Sequence, residues 1–244
     1  MLHQFDHNTL FFSQVLPSPS TPEEWKEVAK GFQKRWNFPN TIGAIDGKHI
    51  AIRCPPNSGS IYHNYKGFFS IVLLAVVDAD YKFIYVDVGR NGSCSDAEIF
   101  LHSNLRDALE EDFAGLPKAD PLPRDDTPVP YALVGDDAFP LRSWLMKPYP
   151  FRGMSRQKRI FNYRLSRARR VVENAFGVMA ARYKCFGYVT RHHMRSIIHT
   201  VNAQNLHYTH IIVMLACHSN YFYHRKVHNA YNKFIVLHLF IVYS

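Results

Sequence analysis

A chain of 244 residues that is 47% hydrophobic is long enough to bury a core, which predicts one domain with short appendages. Its four cysteines are widely spaced without a CxxC pair, which argues against a zinc site or disulfide framework and indicates reduced thiols inside a cell. The sequence shows neither a signal-peptide pattern nor an apolar run of membrane-spanning length, so we expect no membrane association.

The net charge of +9 is unevenly distributed along the chain. Residues 151–195 contain 12 Lys or Arg and one acid, Glu173, for a net charge of +11, whereas the rest of the chain carries −2. A concentrated basic segment is typical of proteins that bind a polyanion, although a solvated basic helix would have the same composition.

The first predicted element is a helix in "STPEEWKEVAKGFQKRW", which begins with a Ser/Thr cap and a first-turn proline. A strand follows in "TIGAIDGKHIAI", where Asp46 interrupts an otherwise apolar run. The segments "FFSIVLLAVVD" and "KFIYVDVG" are rich in β-branched and aromatic residues and are joined by a short turn. They predict a hairpin beside the first strand.

Helical periodicity returns in "GSCSDAEIFLHSNLRDALEEDF", with Ser95 or Asp96 as the cap, and the proline-rich "LPKADPLPRDDTPVP" predicts a surface connection. "YALVGDDAF" is a short buried strand that ends in two acids. A long helix in "NYRLSRARRVVENAFGVMAARYKCF" has an apolar face with spacings of three and four residues. These elements predict an α/β domain with a mixed sheet flanked by helices.

Four acids fall at the ends of predicted elements or on the last helix: Asp46, Asp96, Asp136 and Glu173. Acids at strand and helix ends of an α/β fold can meet in one crevice, where their mutual repulsion favours binding of hard cations. Oxygen ligands without His or Cys favour Mg²⁺ or Mn²⁺, and two such ions can cleave a phosphodiester. We therefore expect a shared cation, not a neighbouring base, to compensate Asp46.

Each acid also has a purely structural interpretation. Asp96 could serve only as a helix cap, and Asp137 could replace Asp136 as the ligand. Glu173 follows two arginines by one helical turn, so it could form an intrahelical ion pair.

Several blocks of the sequence carry a family resemblance. "GAIDGKHIAI", "NYKGFFSIVLLAVVDADYKFIYVDVG", "GSCSDAEIF", "VGDDAFPLRSWLMKPYP" and the long helix occur in an order that resembles the DDE endonuclease domain of PIF/Harbinger transposases and the nucleases derived from them. The resemblance covers about residues 20–188. It implies an RNase H-like core with a three-stranded antiparallel start and a following parallel strand, and Mg²⁺- or Mn²⁺-dependent cleavage and strand transfer of DNA.

Carried over by motif, the resemblance implies a catalytic triad of Asp46, Asp136 and Glu173, with Asp96 as a further ligand of two metal ions. We expect the DNA phosphates to be bound by basic residues near these acids: Lys48, Lys66, Arg164, Arg167, Arg169 and Arg170.

The resemblance divides the chain into a lead-in (1–20), a DDE endonuclease domain (21–190) and an atypical C-terminal tail (191–244). Family members usually carry an N-terminal helix-turn-helix-like region and end in a helix with A-C-x-x-L-H-N, where this chain has "MLACHSNYFY". These departures lead us to expect a truncated transposon copy or a gene model with a misread 3′ end. A separate DNA-binding protein would then supply targeting and nuclear import, and self-association is compatible with this scheme.

The sequence is consistent with three functional hypotheses. The first is a nuclear, metal-dependent DNA endonuclease. The second is a domesticated or decayed transposase domain that binds DNA or protein without catalysis. The third is a metal-dependent phosphatase or a nuclease acting on RNA, which the sequence favours least.

Overall fold

The computed structural model describes residues 18–182, which all belong to one compact unit of the chain. The predictions for residues 1–17 and for the C-terminal tail (191–244) concern residues that lie outside this range. The described chain forms four helices and seven strands: α1 Pro22–Trp36, β1 Thr41–Ala51, β2 Ser70–Val77, β3 Phe83–Asn91, α2 Asp96–Leu101, α3 Asn104–Glu110, β4 Asp120–Pro121, β5 Pro128–Val129, β6 Ala132–Val134, β7 Leu145–Met146 and α4 Arg156–Arg182.

The start of α1 follows directly from its sequence. The Thr21 hydroxyl accepts a hydrogen bond from the Glu24 amide, and the Glu24 side chain accepts one from the Thr21 amide, which completes a capping box. Pro22 occupies the first turn, where its missing N–H costs nothing. Asn37 ends the helix in the left-handed conformation. The predicted first helix is confirmed.

Strand order in the main sheet is β3-β2-β1-β6-β7. β1, β2 and β3 pair antiparallel, whereas β6 pairs parallel to β1 and β7 parallel to β6. The Asp78 carboxylate closes the β2–β3 turn by accepting hydrogen bonds from the amides of Asp80 and Lys82. The predicted arrangement of an antiparallel start followed by parallel strands, flanked by helices as in RNase H-like folds, is therefore confirmed.

The sheet buries an apolar core on each face. On one face, β1 and β2 pack against the apolar side of α4, which contributes Leu165, Ala168, Val171, Val172, Ala175, Phe176 and Met179. On the other face, Ile42, Ile45 and Leu74 pack with Phe100 of α2 and Leu109 of α3. All eight residues of β2 are buried because β2 lies inside the sheet and is covered on both faces.

Two parts of the predicted organisation are wrong in detail. The single helix expected over residues 92–113 is divided into α2 and α3, since His102 ends α2 and the Ser103 side chain caps α3. The proline-rich connection contains a small hairpin, β4–β5, and a further short strand, β7, lies at the sheet edge. Within residues 18–182, no helix has the combination of length and apolar character needed to cross a membrane.

Candidate active site

The burial of β1 changes at Asp46. Residues 41–45 are buried, whereas residues 46–49 are only partly buried. Parallel pairing with β6 reaches Ala44, which lies opposite Val134, and β6 ends there. From Asp46 onward, β1 consequently has an open edge on that side while it still pairs with β2 on the other. Carboxyl ends of parallel strands are where α/β sheets place their sites.

Asp136 lies next to Asp46 across this edge. Continuing the register from the Ala44–Val134 pair brings Gly135 beside Ile45, and a Cβ at Gly135 would lie 3.2 Å from Ile45 Cγ2. The following residue, Asp136, therefore follows β6 at the level of Asp46. Its Oδ1 accepts a hydrogen bond of 3.0 Å from the Ala138 amide, which holds the carboxylate at the start of the turn.

Asp96 reaches the same edge from α2. The cap of α2 is Ser95, whose Oγ accepts a hydrogen bond from the Glu98 amide, so Asp96 stands at the first helical position and is not the cap. Its carboxylate lies directly on Gly47, because a Cβ at Gly47 would come within 1.9 Å of Asp96 Oδ1. Asp96 Oδ1 is also buried with no hydrogen-bond partner among the described residues.

The three aspartates influence one another electrostatically. Burial raises the pKa of Asp46 to about 7, the charge of Arg169 opposes this rise, and the charges of Asp96 and Asp136 add to it. Burial also raises the pKa of Asp96, again with a contribution from Asp136, whereas Lys66 lowers it. Repulsion among carboxylates in a partly desolvated crevice is the environment that a cation relieves.

Glu173 is connected to this group through Arg169. Arg169 Nη2 lies 2.5 Å from Glu173 Oε1, one helical turn along α4, and its Nη1 lies 3.9 Å from Asp46 Oδ2. The intrahelical ion pair considered for Glu173 is thus present. The expectation that no base compensates Asp46 is wrong: α4 packs across β1 and brings the Arg169 guanidinium to it. The Glu173 side chain remains 45% exposed.

The six predicted phosphate-binding residues divide into two groups. Lys66, Arg164 and Arg170 are exposed. The other three are only partly exposed: the Lys48 ammonium lies over the Phe176 ring, the Arg167 guanidinium over the Tyr163 ring, and Arg169 is held by Asp46 and Glu173. Burial lowers the pKa of Lys48, and the nearby Lys66 charge lowers it further.

These donors fit a hard cation in their chemistry. They supply carboxylate oxygens, and the buried Asp96 Oδ1 lacks any other partner within residues 18–182. As arranged, however, no three His, Cys, Asp or Glu side chains in this part of the chain are close enough to share one ion. Joint coordination by Asp46 and Glu173 would require Arg169 to leave its position between them.

Sequence reasoning missed two features of this edge. Gly47 provides the space that the Asp96 carboxylate occupies, and its place directly after Asp46 was the available signal. For Arg169 the sequence indicated a pairing with Glu173 and contacts with DNA but not the contact with Asp46, because nothing in the local sequence reveals which residue of a long helix faces β1.

Comparison with known proteins identifies the family of this chain. The model of the DDE superfamily endonuclease family matches residues 45–213, and the chain belongs to that family. Among individual proteins, the chain is 31% identical to "Protein ALP1-like" of Arabidopsis thaliana over 168 residues, which are 68% of this chain and 41% of that protein.

A second group of relatives carries the name "Putative nuclease HARBI1". The chain is 30% identical to the Mus musculus protein and 27% identical to the Homo sapiens protein, in each case over 173 residues, 71% of this chain and 45% of the relative. The chain thus spans less than half the length of the curated relatives it matches. No solved structure matches it significantly.

Proposed function

We propose that this protein is a divalent-metal-dependent DNA endonuclease that acts through Asp46, Asp136 and Glu173, with Asp96 as an additional ligand. The observation that carries the proposal is the convergence of three mutually repelling aspartates at the open edge of β1, one of which, Asp96, has a buried carboxylate oxygen without a hydrogen-bond partner among the described residues. Family membership supports the same reaction class.

Under this proposal the four acids hold Mg²⁺ or Mn²⁺, and two such ions would activate the attacking water and stabilise the leaving oxygen. The rigid pairing of β1 with β2 fixes the Asp46 carboxylate, and the Ala138 amide fixes that of Asp136. The Arg169 guanidinium balances charge between Asp46 and Glu173 when no ion is present and releases both carboxylates when one binds.

DNA is the substrate we propose because the basic surface adjoins the acids. The exposed Arg164 and Arg170 lie on the same helix as Glu173. Lys66 is close enough to Asp96 for its positive charge to lower the pKa of that carboxyl. Such contacts position phosphates without reading base sequence. We propose further that a partner protein provides sequence recognition and nuclear import, and that the same site can catalyse strand transfer.

A nicking assay on supercoiled plasmid tests this proposal. The full chain is expected to convert supercoiled DNA to the open circular form with Mn²⁺ or Mg²⁺ and not with EDTA. Asp136→Asn should abolish nicking, whereas Asp137→Asn, which changes the exposed neighbouring acid, should retain it. Equal nicking by wild type and Asp136→Asn would contradict the proposal, as would preferential hydrolysis of RNA or of a small phosphoester.

The position of Arg169 favours a second candidate function, a transposase-derived module that binds DNA or protein without catalysis. A guanidinium that already compensates Asp46 and Glu173 can stabilise the acid group without any metal. This candidate predicts DNA binding that weakens with salt, persists in Asp136→Ala and is unaffected by Mn²⁺. A Mn²⁺-dependent rise in melting temperature would argue against it.

A further inference from the structure

A loop held together by side-chain hydrogen bonds follows β1 and returns to the start of β2. Its anchor is Asn64, which is 3% exposed. The Asn64 Nδ2 donates to Ser70 Oγ at 2.8 Å, and its Oδ1 accepts from the amides of Lys66 and Phe68 at 3.0 and 3.2 Å. Ser70 Oγ also lies 2.9 Å from His49 Nδ1, so the loop is tied to both strands.

The tip of this loop presents an aromatic ring and a cation. Tyr65 is 83% exposed, although its backbone belongs to this tightly bonded turn. Its ring meets the His49 ring edge to face at 5.5 Å, and the Lys66 Nζ lies 5.3 Å from its centroid. His49 and Gly47 share one face of β1, the face against which the Asp96 carboxylate lies, whereas Asp46 points to the opposite face. Lys66 is close enough to Asp96 for its charge to lower the pKa of that carboxyl. The tip therefore lies near Asp96, on the side of β1 from which this carboxylate approaches.

An exposed tyrosine alone needs no explanation, because much of any protein surface is apolar. Phe113, which follows α3, is exposed to a similar extent, 79%. Tyr65 differs because a buried asparagine fixes the turn that carries it, a cation lies beside its ring, and the neighbouring Lys66 is close to Asp96, which is proposed as a metal ligand. An aromatic platform with an adjoining positive charge is the arrangement that binds unpaired nucleotides, by stacking on the base and attracting the phosphate.

We propose that Tyr65 stacks on an unpaired base beside the scissile phosphodiester and that Lys66 contacts the adjoining phosphate. The inference rests on the proposed DNA cleavage and narrows its substrate to DNA with an unpaired nucleotide at the cut, such as a bubble, a flap or a frayed end. A base inside a duplex is covered by its neighbours, and it has to leave the stack before a side chain can cover its face.

The test is a fluorescence experiment with the full chain in EDTA, so that no cleavage occurs. A set of bubble oligonucleotides carries 2-aminopurine at successive positions, because stacking quenches its emission. The variants are Tyr65→Ala, Tyr65→Leu, which keeps apolar contact with His49, and Tyr65→Phe, which keeps the ring. Phe113→Ala is the matched control for an equally exposed aromatic.

Wild type, Tyr65→Phe and Phe113→Ala are expected to quench one position, whereas Tyr65→Ala and Tyr65→Leu should not. Loss of the ring should weaken bubble binding about tenfold and leave binding to fully paired duplex unchanged. Equal quenching by wild type and Tyr65→Leu, or no quenching by any protein, would overturn the inference. Plasmid nicking is measured separately. If the wild-type chain quenches 2-aminopurine but does not nick plasmid, only the proposed cleavage is contradicted. If the wild-type chain nicks plasmid and Tyr65→Leu quenches as strongly as wild type, only the proposed stacking is contradicted.

Discussion

Arg169 and Asp46 come from elements more than a hundred residues apart, and the Arg169 Nη1 lies 3.9 Å from the Asp46 Oδ2. The same guanidinium holds Glu173 on its own helix. Two acids proposed to share a cation are therefore bridged by a side-chain cation. Arg169 thus competes with a metal ion for the carboxylates of Asp46 and Glu173, and the competition can be measured as a change in metal affinity.

Replacing Arg169 should strengthen metal binding. In Arg169→Gln the positive charge between Asp46 and Glu173 is gone, so Mn²⁺ no longer displaces a bound guanidinium, and we expect its affinity to rise about tenfold, or ~1.4 kcal/mol. Calorimetric titration of Mn²⁺ without DNA measures this change. Arg170→Gln, an exposed neighbour on α4, is the matched control and should bind Mn²⁺ as wild type does. Weaker Mn²⁺ binding by Arg169→Gln than by Arg170→Gln would contradict the competition.

Asp46 should give the folding stability a defined pH dependence. Burial raises its pKa to about 7 in the folded protein from an ordinary value of 3.8. Between these values the folded state keeps a proton that the unfolded chain has released, so the free energy of unfolding falls as pH rises from about 4 to about 7 and then levels off.

Asp46→Asn replaces the titrating carboxyl with a neutral amide. In EDTA, the free energy of unfolding of Asp46→Asn minus that of wild type should therefore increase across the same pH interval, by at most about 4 kcal/mol. Urea unfolding at steps of pH measures the difference between the two proteins. Asp137→Asn should show the wild-type dependence. A constant difference between Asp46→Asn and wild type from pH 4 to 7 would be incompatible with a buried, proton-binding Asp46.

Gly47 should be required for the position of Asp96. A Cβ at residue 47 would lie 1.9 Å from Asp96 Oδ1, so Gly47→Ala has to displace that carboxylate, and we expect a loss of about 1–3 kcal/mol in stability together with weaker Mn²⁺ binding. Thermal unfolding with and without Mn²⁺ measures both effects.

Two further variants distinguish displacement of the Asp96 carboxylate from a general effect of replacing glycine with alanine. Gly177→Ala adds a methyl group where no atom lies within 4 Å, in an exposed part of α4, and should stabilise the protein by up to about 1 kcal/mol. The double variant Gly47→Ala with Asp96→Ala should recover stability without recovering Mn²⁺ binding. Full recovery of the Mn²⁺ response would show that Asp96 is not a ligand.

The exposed arginines of α4 should contribute to DNA binding through phosphates. Arg164→Gln and Arg170→Gln should each reduce the slope of log affinity against log salt by about 0.9 on duplex DNA, with no dependence on base sequence. Fluorescence anisotropy at several salt concentrations measures the slope. Lys118→Gln removes one exposed charge outside the basic segment and should leave the slope unchanged. Equal slopes for all four proteins would assign the basic surface to another role.

Strong local patterns in the sequence predicted much of this fold. The β-branched runs of β2 and β3, the cap at Thr21 and the apolar spacing of α4 each act over a few residues, and each of these elements formed. The start of α4 was predicted too late, at Asn162, because its first turns from Arg156 lack the apolar spacing on which the prediction rested. The hairpin β4–β5 and the strand β7 could not be predicted, because two-residue strands contain no periodicity.

In the candidate site, too, some features could be predicted from the sequence and others could not. Asp46 and Asp136 stood out because each polar residue follows a buried apolar run, and the parallel register then brings them to one edge. The contacts of Arg169 with Asp46 and of Asp96 with Gly47 depend on how α4 and α2 pack against β1. Tertiary packing of that kind leaves no local mark in the sequence.

Anomalous X-ray scattering from crystals grown with Mn²⁺ shows directly whether these acids bind a metal ion, because it locates the ion independently of activity. We expect an anomalous peak coordinated by Asp46, Asp136 and Glu173, with Asp96 adjoining it and Arg169 turned away from Asp46. A well-ordered site with Arg169 still against Asp46 and no peak at saturating Mn²⁺ would contradict this expectation.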